Sequence, residues 1–202
     1  MIFLTIVSFI VNLVLVAWLC IAVPTSVLYA KRLHHRGSWW ALYVLGLHAV
    51  CAPLYRRLRQ RPGVFFDLSR ILSLAYQLLA LPAGADIPLS AKIGRGLFLG
   101  HTAGVVLNGL ATVGDYCVIT PGVVLGGDGL GGVPVVGRNV YIGANAVIAG
   151  SVLVGDSATI GAGAIVIRDV PSRALVVGNP GAVVKQNYRR SFHDYAKEAG
   201  CE

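Results

Sequence analysis

His101 and an acidic side chain of the second half of the chain, such as Asp86, could together support acid–base chemistry. His101 is the only histidine between residues 86 and 186, and Asp86 precedes it by fifteen positions. An imidazole takes up a proton near neutral pH, and a carboxylate on its other ring nitrogen fixes the tautomer and supports the charged form. Such a pair can activate a hydroxyl. The residues alone leave structural roles open, with His101 as a coil-corner histidine and Asp86 as a cap.

The other potential metal ligands and nucleophiles are scattered along the chain. The cysteines include no CxxC pair, so the sequence predicts neither a zinc site nor a disulfide framework. We interpret them as free thiols in a reducing compartment. A γ-class carbonic anhydrase site needs three histidines around zinc, and this part of the chain offers only His101. We therefore predict no metal. The four cysteines are Cys20, Cys51, Cys117 and Cys201.

A six-residue repeat sets the elements that must position His101 and Asp86. A period of six matches neither a helix nor a simple strand and predicts a parallel β-helix with about 18 residues per coil. We expect this mainly β domain at residues 86–186, with a tail at 187–202, and small residues filling the interior between aliphatic layers. The aliphatic residues are Ile87, Ile93, Leu99, Val105, Leu107, Val113, Ile119, Leu125, Val136, Ile142, Ile148, Val154, Ile160 and Val166.

Two irregularities interrupt the repeat. The pattern slips by two residues between Val105 and Leu107, and a loop leaves the coil between Gly126 and Val135. Insertions in a solenoid lie on one face, which is often the functional face.

The first 36 residues predict a transmembrane anchor. Residues 1–30 carry no charged side chain, and a helix of this length exceeds a hydrocarbon core of about 30 Å. Lys31, Arg32 and Arg36 follow, which favours an uncleaved anchor at residues 1–36 with the rest of the chain on the cytoplasmic face of a bacterial inner membrane. A cleaved signal peptide is the alternative, but no basic region precedes the apolar run.

The pattern of apolar and basic residues at 37–85 predicts helices that are re-entrant or lie at the membrane interface. The stretch 37–55 is uncharged but has basic clusters at both ends, so a full crossing would leave one cluster outside. The segment 64–81 is apolar and carries Asp67 and Arg70. Eight of the 17 Lys and Arg residues precede residue 86, but only one of the nine acidic residues does. This distribution favours membrane lipids as partners over nucleic acid.

Four segments resemble the hexapeptide-repeat acetyltransferases, and among these most the serine acetyltransferase branch. The resemblance implies a left-handed β-helix, a homotrimer and an O-acyltransferase that uses acetyl-CoA. In that branch a histidine acts as general base and is oriented by an aspartate fifteen residues earlier, and the matching residues here are His101 and Asp86. The segments are residues 91–101 (AKIGRGLFLGH), 124–127 (VLGG), 160–166 (IGAGAIV) and 178–180 (GNP).

The resemblance also implies where acetyl-CoA binds. In the family the pantetheine lies in a groove between the coils of neighbouring subunits. The matching positions are Gly127, Ala144 and Ala162, with Arg168, Arg173 or Lys185 as candidate phosphate contacts. Each small residue could equally fill a corner or the interior.

Three positions depart from the serine acetyltransferase branch. The branch has an aspartate before the histidine, which helps to hold the serine amino group, where this chain has Gly100. The Arg-His pair associated with the serine carboxylate aligns with Gly132 and Val133. A site for a zwitterion loses affinity without such partners, so we expect a neutral hydroxyl on a glycan or lipid-linked sugar as the acceptor.

The combined prediction is a membrane-anchored O-acetyltransferase that modifies a surface polysaccharide or its lipid-linked precursor. A divergent serine O-acetyltransferase and a non-catalytic trimeric β-helix scaffold are the alternatives. The scaffold would need neither the Asp86 and His101 pair nor a coenzyme groove.

Overall fold

The computed structural model describes residues 39–60 and 63–188. The predicted anchor at residues 1–36 lies outside these residues, as does most of the predicted tail. Two helices come first, α1 (Trp39–Arg59) and α2 (Val64–Ala80), and a 3₁₀ turn (Leu81–Ala83) leads from α2 into the β region.

The described residues after the helices form fourteen short strands in three sheets. Sheet 1 has the order β1-β4-β7-β10, sheet 2 the order β2-β5-β8-β11-β13-β14, and sheet 3 the order β3-β6-β9-β12. From β1 to β12, strands three apart in sequence are parallel neighbours, which is the connectivity of a coil with three sides. The strands are β1 (Lys92–Ile93), β2 (Phe98–Leu99), β3 (Val106–Leu107), β4 (Thr112–Val113), β5 (Val118–Ile119), β6 (Val124–Gly126), β7 (Val135–Val136), β8 (Tyr141–Ile142), β9 (Val147–Ala149), β10 (Leu153–Val154), β11 (Thr159–Ile160), β12 (Ile165–Val166), β13 (Leu175–Val177) and β14 (Ala182–Lys185).

The core consists of stacked aliphatic layers inside the coil. In sheet 2, Leu99 pairs with Ile119 and Ile119 with Ile142, and all three side chains are buried. Cys117 and Val140 fill the space beside them as the sequence predicts, and neither is accessible to solvent. Burying each large aliphatic side chain contributes about 1.5 to 3 kcal/mol, so the layers stabilise the coil over its whole length. The predicted parallel β-helix is confirmed.

The two-residue slip lies at a different place from the one predicted. Val105 is fully buried and lies two positions before the inward-facing Leu107, as Val123 lies two positions before the inward-facing residue of the next coil. The extra residues therefore follow Leu99, in the corner between sheets 2 and 3. The prediction misplaced them because valine suits both the aliphatic position and the small interior position. The consequence is that His101 occupies a widened corner.

Helix α1 packs against α2 and the first coil. Its buried face includes Val44, Leu47 and Ala52, which belong to one hydrophobic cluster with residues of the coil such as Ile87 and Leu89. One apolar face of α1 thus covers protein, whereas Trp40, Val50 and Leu54 of the same helix are exposed. Among the residues that the structure describes, no helix is both long enough and apolar enough to cross a bilayer.

Candidate active site

His101 lies in the corner that joins sheet 2 to sheet 3. It follows β2, and its side chain is exposed. The corner is closed by the Val105 amide, which donates to the Thr102 carbonyl oxygen over 3.1 Å. Gly104 has a φ of 71°, in the left-handed region that favours glycine, and its amide donates to the Gly84 carbonyl oxygen of the preceding turn over 2.8 Å. The backbone therefore presents His101 on the outside of the coil.

Asp86 lies beside the same corner, one coil below His101. Its amide donates to the Val105 carbonyl oxygen over 2.8 Å, and its own carbonyl accepts from the Leu107 amide over 2.9 Å. The carboxylate side chain is exposed. The fold thus brings Asp86 and His101 to adjacent coils of one corner. No hydrogen bond or ion pair joins their side chains in the described part of the chain, so their interaction stays a prediction.

Two helix side chains hold the backbone that follows Asp86. The Tyr76 hydroxyl of α2 donates to the Ile87 carbonyl oxygen over 2.8 Å, and both residues are buried. The His48 Nε2 group of α1 donates to the Pro88 carbonyl oxygen over 3.2 Å. Burial raises the pKa of Tyr76 well above its ordinary value and lowers the pKa of His48 to about 4. Both groups are therefore neutral donors at neutral pH.

Tyr76 and His48 are not among the residues predicted from the sequence, because both lie in segments interpreted as membrane helices. The available indication was a polar or titratable side chain inside an otherwise apolar helix. Such a group needs a hydrogen-bond partner when it is buried, and here the partners are backbone carbonyls of the first coil.

The small residues proposed to contact the coenzyme fall on both edges of sheet 3. Ala144 and Ala162 lie in the His101 corner on later coils, where the Gly163 amide donates to the Ala144 carbonyl oxygen over 2.8 Å. Ala162 is exposed and Ala144 half-buried. Gly127 directly follows β6 and is exposed, at the opposite edge of sheet 3.

The basic residues that are candidate contacts for the coenzyme phosphates lie near the end of the coil. Arg168 follows β12 and is exposed, at the same edge of sheet 3 as Gly127. Arg173 lies before β13 and is exposed. Lys185 ends β14, which is antiparallel to β13, and its Nζ atom lies 5.8 Å from the centre of the Tyr188 ring. These three residues occupy different parts of the last coils, so they do not form one cluster of charge.

The structure shows the surroundings of two positions that depart from the serine acetyltransferase pattern, Gly100 and Gly132. Gly100 is buried directly before His101. In the loop after β6, one carboxylate oxygen of Asp128 accepts from the amides of Leu130 and Gly132, both over 2.8 Å. The Asp128 side chain thus closes the loop by binding the loop's own backbone amides.

Comparisons with known proteins agree with this fold. The profile described as "Bacterial transferase hexapeptide (six repeats)" matches residues 134–168. The serine acetyltransferase of Synechococcus elongatus is 41% identical over 141 residues, which cover 68% of this chain and 54% of that protein. The serine acetyltransferase of Helicobacter pylori is 38% identical over 157 residues, which cover 75% of this chain and 89% of that protein. The structure of soybean serine acetyltransferase complexed with serine has a TM-score of 0.63 and 33% identity, over 73% of this chain and 58% of that one.

The chain belongs to the serine acetyltransferase family of hexapeptide-repeat transferases. It spans 54% of the Synechococcus protein and 58% of the soybean chain. Membership of the serine acetyltransferase family confirms the left-handed β-helix. Because the chain spans about half of these relatives, the predicted activity as an acyltransferase with acetyl-CoA as co-substrate stays a prediction. Among the described residues, no cluster of three or more His, Cys, Asp or Glu side chains could hold a metal ion.

Two predictions from the sequence are wrong. The membrane-anchored polysaccharide acetyltransferase is overturned because relatives with 35% to 41% identity are serine acetyltransferases. Changes at three positions, Gly100, Gly132 and Val133, do not outweigh the similarity of the whole coil. The inner-membrane location, predicted from the uncharged residues 1–30 and the basic residues behind them, is contradicted because the relatives of this chain are serine acetyltransferases. No helix among the described residues could cross a membrane. The glycan or lipid-linked acceptor and the membrane-lipid partners lose their support with these two predictions.

Proposed function

We propose that this chain is a serine O-acetyltransferase, which transfers the acetyl group of acetyl-CoA to the hydroxyl of serine. The observation that carries the proposal is the corner that holds His101 with Asp86 on the adjacent coil, in a chain of the serine acetyltransferase family. In this proposal His101 is the general base and Asp86 orients it.

The chemistry follows from the weak nucleophilicity of an alcohol at neutral pH. His101 takes the proton of the serine hydroxyl while the new bond between oxygen and the acetyl carbon forms. The bond between that carbon and the sulfur of coenzyme A then breaks, and the imidazolium returns the proton to the departing sulfur. The carboxylate of Asp86 supports the imidazolium between these two steps.

The coenzyme would lie along the His101 corner. Exposed Ala162 and half-buried Ala144 leave this corner free of bulky side chains on the later coils, which fits a long and narrow ligand. Gly127 and Arg168, at the other edge of sheet 3, would contact a coenzyme held by a neighbouring subunit of a homotrimer. Lys185 would be a phosphate contact at the end of the coil.

The acceptor would be bound without the family's charged residues at three positions. Because Gly100, Gly132 and Val133 carry no charge, the ammonium and carboxylate groups of serine would contact other residues. We therefore expect a higher KM for serine than in relatives that keep those charges, because each hydrogen bond to a charged group contributes about 1.5 to 3 kcal/mol.

The experiment that tests this function is release of the coenzyme A thiol by the purified protein with L-serine. His101→Ala should lower kcat by about 10²- to 10⁴-fold with little change in KM for acetyl-CoA, since it removes the base and leaves the aliphatic layers in place. Asp86→Asn should cause a smaller loss. Lys92→Ala, an exposed change on β1, is the matched control and should keep wild-type turnover.

Two results would overturn the proposal. Wild-type kcat in His101→Ala would remove the general base from the mechanism. Saturable binding of acetyl-CoA without any serine-dependent thiol release would remove serine as the acceptor and favour the non-catalytic scaffold.

A further inference from the structure

The backbone around Asp86 is paired with the coil on one side only. Its amide and carbonyl bond to Val105 and Leu107 of the next coil, and the bridge to Val106 is its single strand pairing among the described residues. Residues in the middle of the β-helix, such as Ile119, pair with strands on both sides. The first coil therefore needs another partner on its free side.

The two helices supply that partner through buried hydrogen bonds. The carbonyl of Ile87, the residue after Asp86, accepts from the Tyr76 hydroxyl at 2.8 Å, and the next carbonyl, of Pro88, accepts from His48 at 3.2 Å. Tyr76 is 2% exposed and His48 is 6% exposed. A buried carbonyl that loses its donor is costly, so these bonds fix the local path of the backbone.

Their placement couples the helices to the carboxylate. The path of residues 86–88 determines where the Asp86 side chain points, and a catalytic carboxylate must be held close to its productive geometry. The rings of His48 and Tyr76 also contact each other edge to face, with centroids 6.2 Å apart, so the two donors support one another.

We propose that Tyr76 is a positioning residue for catalysis, which holds the Asp86 segment from the helical layer so that the carboxylate can orient His101. His48 provides the second anchor of the same segment. This inference rests on the proposed function, because it assigns Tyr76 a role only through Asp86 and His101.

The test is a double-mutant cycle on kcat for serine acetylation by the full chain. Tyr76→Phe removes only the hydroxyl and should lower kcat about tenfold, with KM for acetyl-CoA unchanged. In an Asp86→Asn background the same change should have almost no further effect, since the group that Tyr76 positions is already lost. Tyr55→Phe is the matched control, because its hydroxyl lies 2.6 Å from Arg59 of the same helix and should not affect kcat.

The pH profile gives a second readout that a purely structural role would not change. If Tyr76 acts through Asp86, the acidic limb of the kcat profile should move to lower pH in Tyr76→Phe, because a poorly oriented carboxylate supports the imidazolium less. His48→Leu should have the same effect, whereas His48→Gln keeps an N–H donor and should restore most of the activity.

Specific outcomes would overturn the inference. Equal losses from Tyr76→Phe in the wild-type and Asp86→Asn backgrounds would assign Tyr76 a structural role alone, and so would an unchanged pH profile. If Tyr76→Phe does not fold, the comparison of His48→Leu with His48→Gln decides, and equal kcat values in the two would refute the positioning role. Wild-type turnover by His101→Ala would instead refute the proposed function itself.

Discussion

Lowering the pH from 7 to 5 should loosen the contact between α1 and the first coil through His48. This histidine is 6% exposed, and burial lowers its pKa to about 4, with a smaller contribution of the same sign from the charge of Arg56. In the unfolded chain a histidine has a pKa of about 6.5. The unfolded state therefore binds more protons between these values, and the stability due to neutral His48 is complete above about pH 6.5 and is lost as the pH falls towards 4.

The size of the effect follows from the two pKa values of His48. The full difference corresponds to about 3 kcal/mol, and the part lost between pH 7 and pH 5 is about 2 kcal/mol. Tyr76 stays neutral throughout this range because burial raises its pKa, and burial also raises the pKa of the Cys51 thiol. These neighbours of His48 therefore do not titrate between pH 5 and pH 7.

The assay is urea unfolding of the full chain at pH 7, 6 and 5, followed by tryptophan fluorescence at a fixed protein concentration. The wild type should lose about 2 kcal/mol of unfolding free energy over this range. His48→Gln keeps a donor for the Pro88 carbonyl but cannot titrate, so its stability should change by less than half as much. Leu130→Ala is the control, because this side chain is 94% exposed and does not titrate, so its replacement should leave the pH dependence as in the wild type. The same loss in wild type and His48→Gln would refute the reasoning.

Three further predictions concern the coil and can be checked by the same unfolding measurement at pH 7. Ile148→Ala, at a fully buried position, should cost about 2 to 5 kcal/mol, whereas Leu130→Ala, at a side chain that is 94% exposed, should cost little. Gly114→Ala should destabilise, because its new Cβ would lie 2.5 Å from a backbone oxygen of the next coil, whereas Gly46→Ala in α1 meets no atom within 4 Å and should stabilise by up to about 1 kcal/mol. Thr159→Val should be neutral or stabilising, since the buried Thr159 hydroxyl has no hydrogen-bond partner in the described chain, and a loss above about 1 kcal/mol would contradict this.

The coil could be predicted from the sequence because each strand from β1 to β13 contributes one inward aliphatic residue. Leu125, Ile148 and Val166 stack in register in sheet 3, and the same physical requirement sets their spacing in the sequence. The widened corner at His101 could not be placed in the same way. Valine at position 105 fits both the inward aliphatic position and the smaller interior position of the repeat. Only the backbone hydrogen bonds show that Val105 occupies the smaller position.

What covers the apolar helix faces could not be predicted from the sequence for a related reason. An apolar helix face has the same composition whether lipid or protein covers it, and the segment 37–55 could not distinguish the two. What differs is the treatment of polar groups, because a buried histidine or tyrosine needs a partner that lipid does not provide. His48 and Tyr76 are therefore the residues that indicate contact with protein, although their hydrogen-bond partners lie 40 and 11 positions away in the sequence.

The location of Asp86 explains why the helices and the site have to be considered together. A β-helix holds each strand between two neighbours, but its first coil has a free side, and the residue proposed to orient His101 lies on that coil. An unsupported first coil would leave the carboxylate on the least constrained part of the solenoid, whereas orientation of a general base needs a fixed geometry. The next coil holds the backbone near Asp86 by hydrogen bonds on one side. The buried hydrogen bonds from Tyr76 and His48 hold this backbone on its free side. The helical layer is for this reason part of the proposed catalytic apparatus.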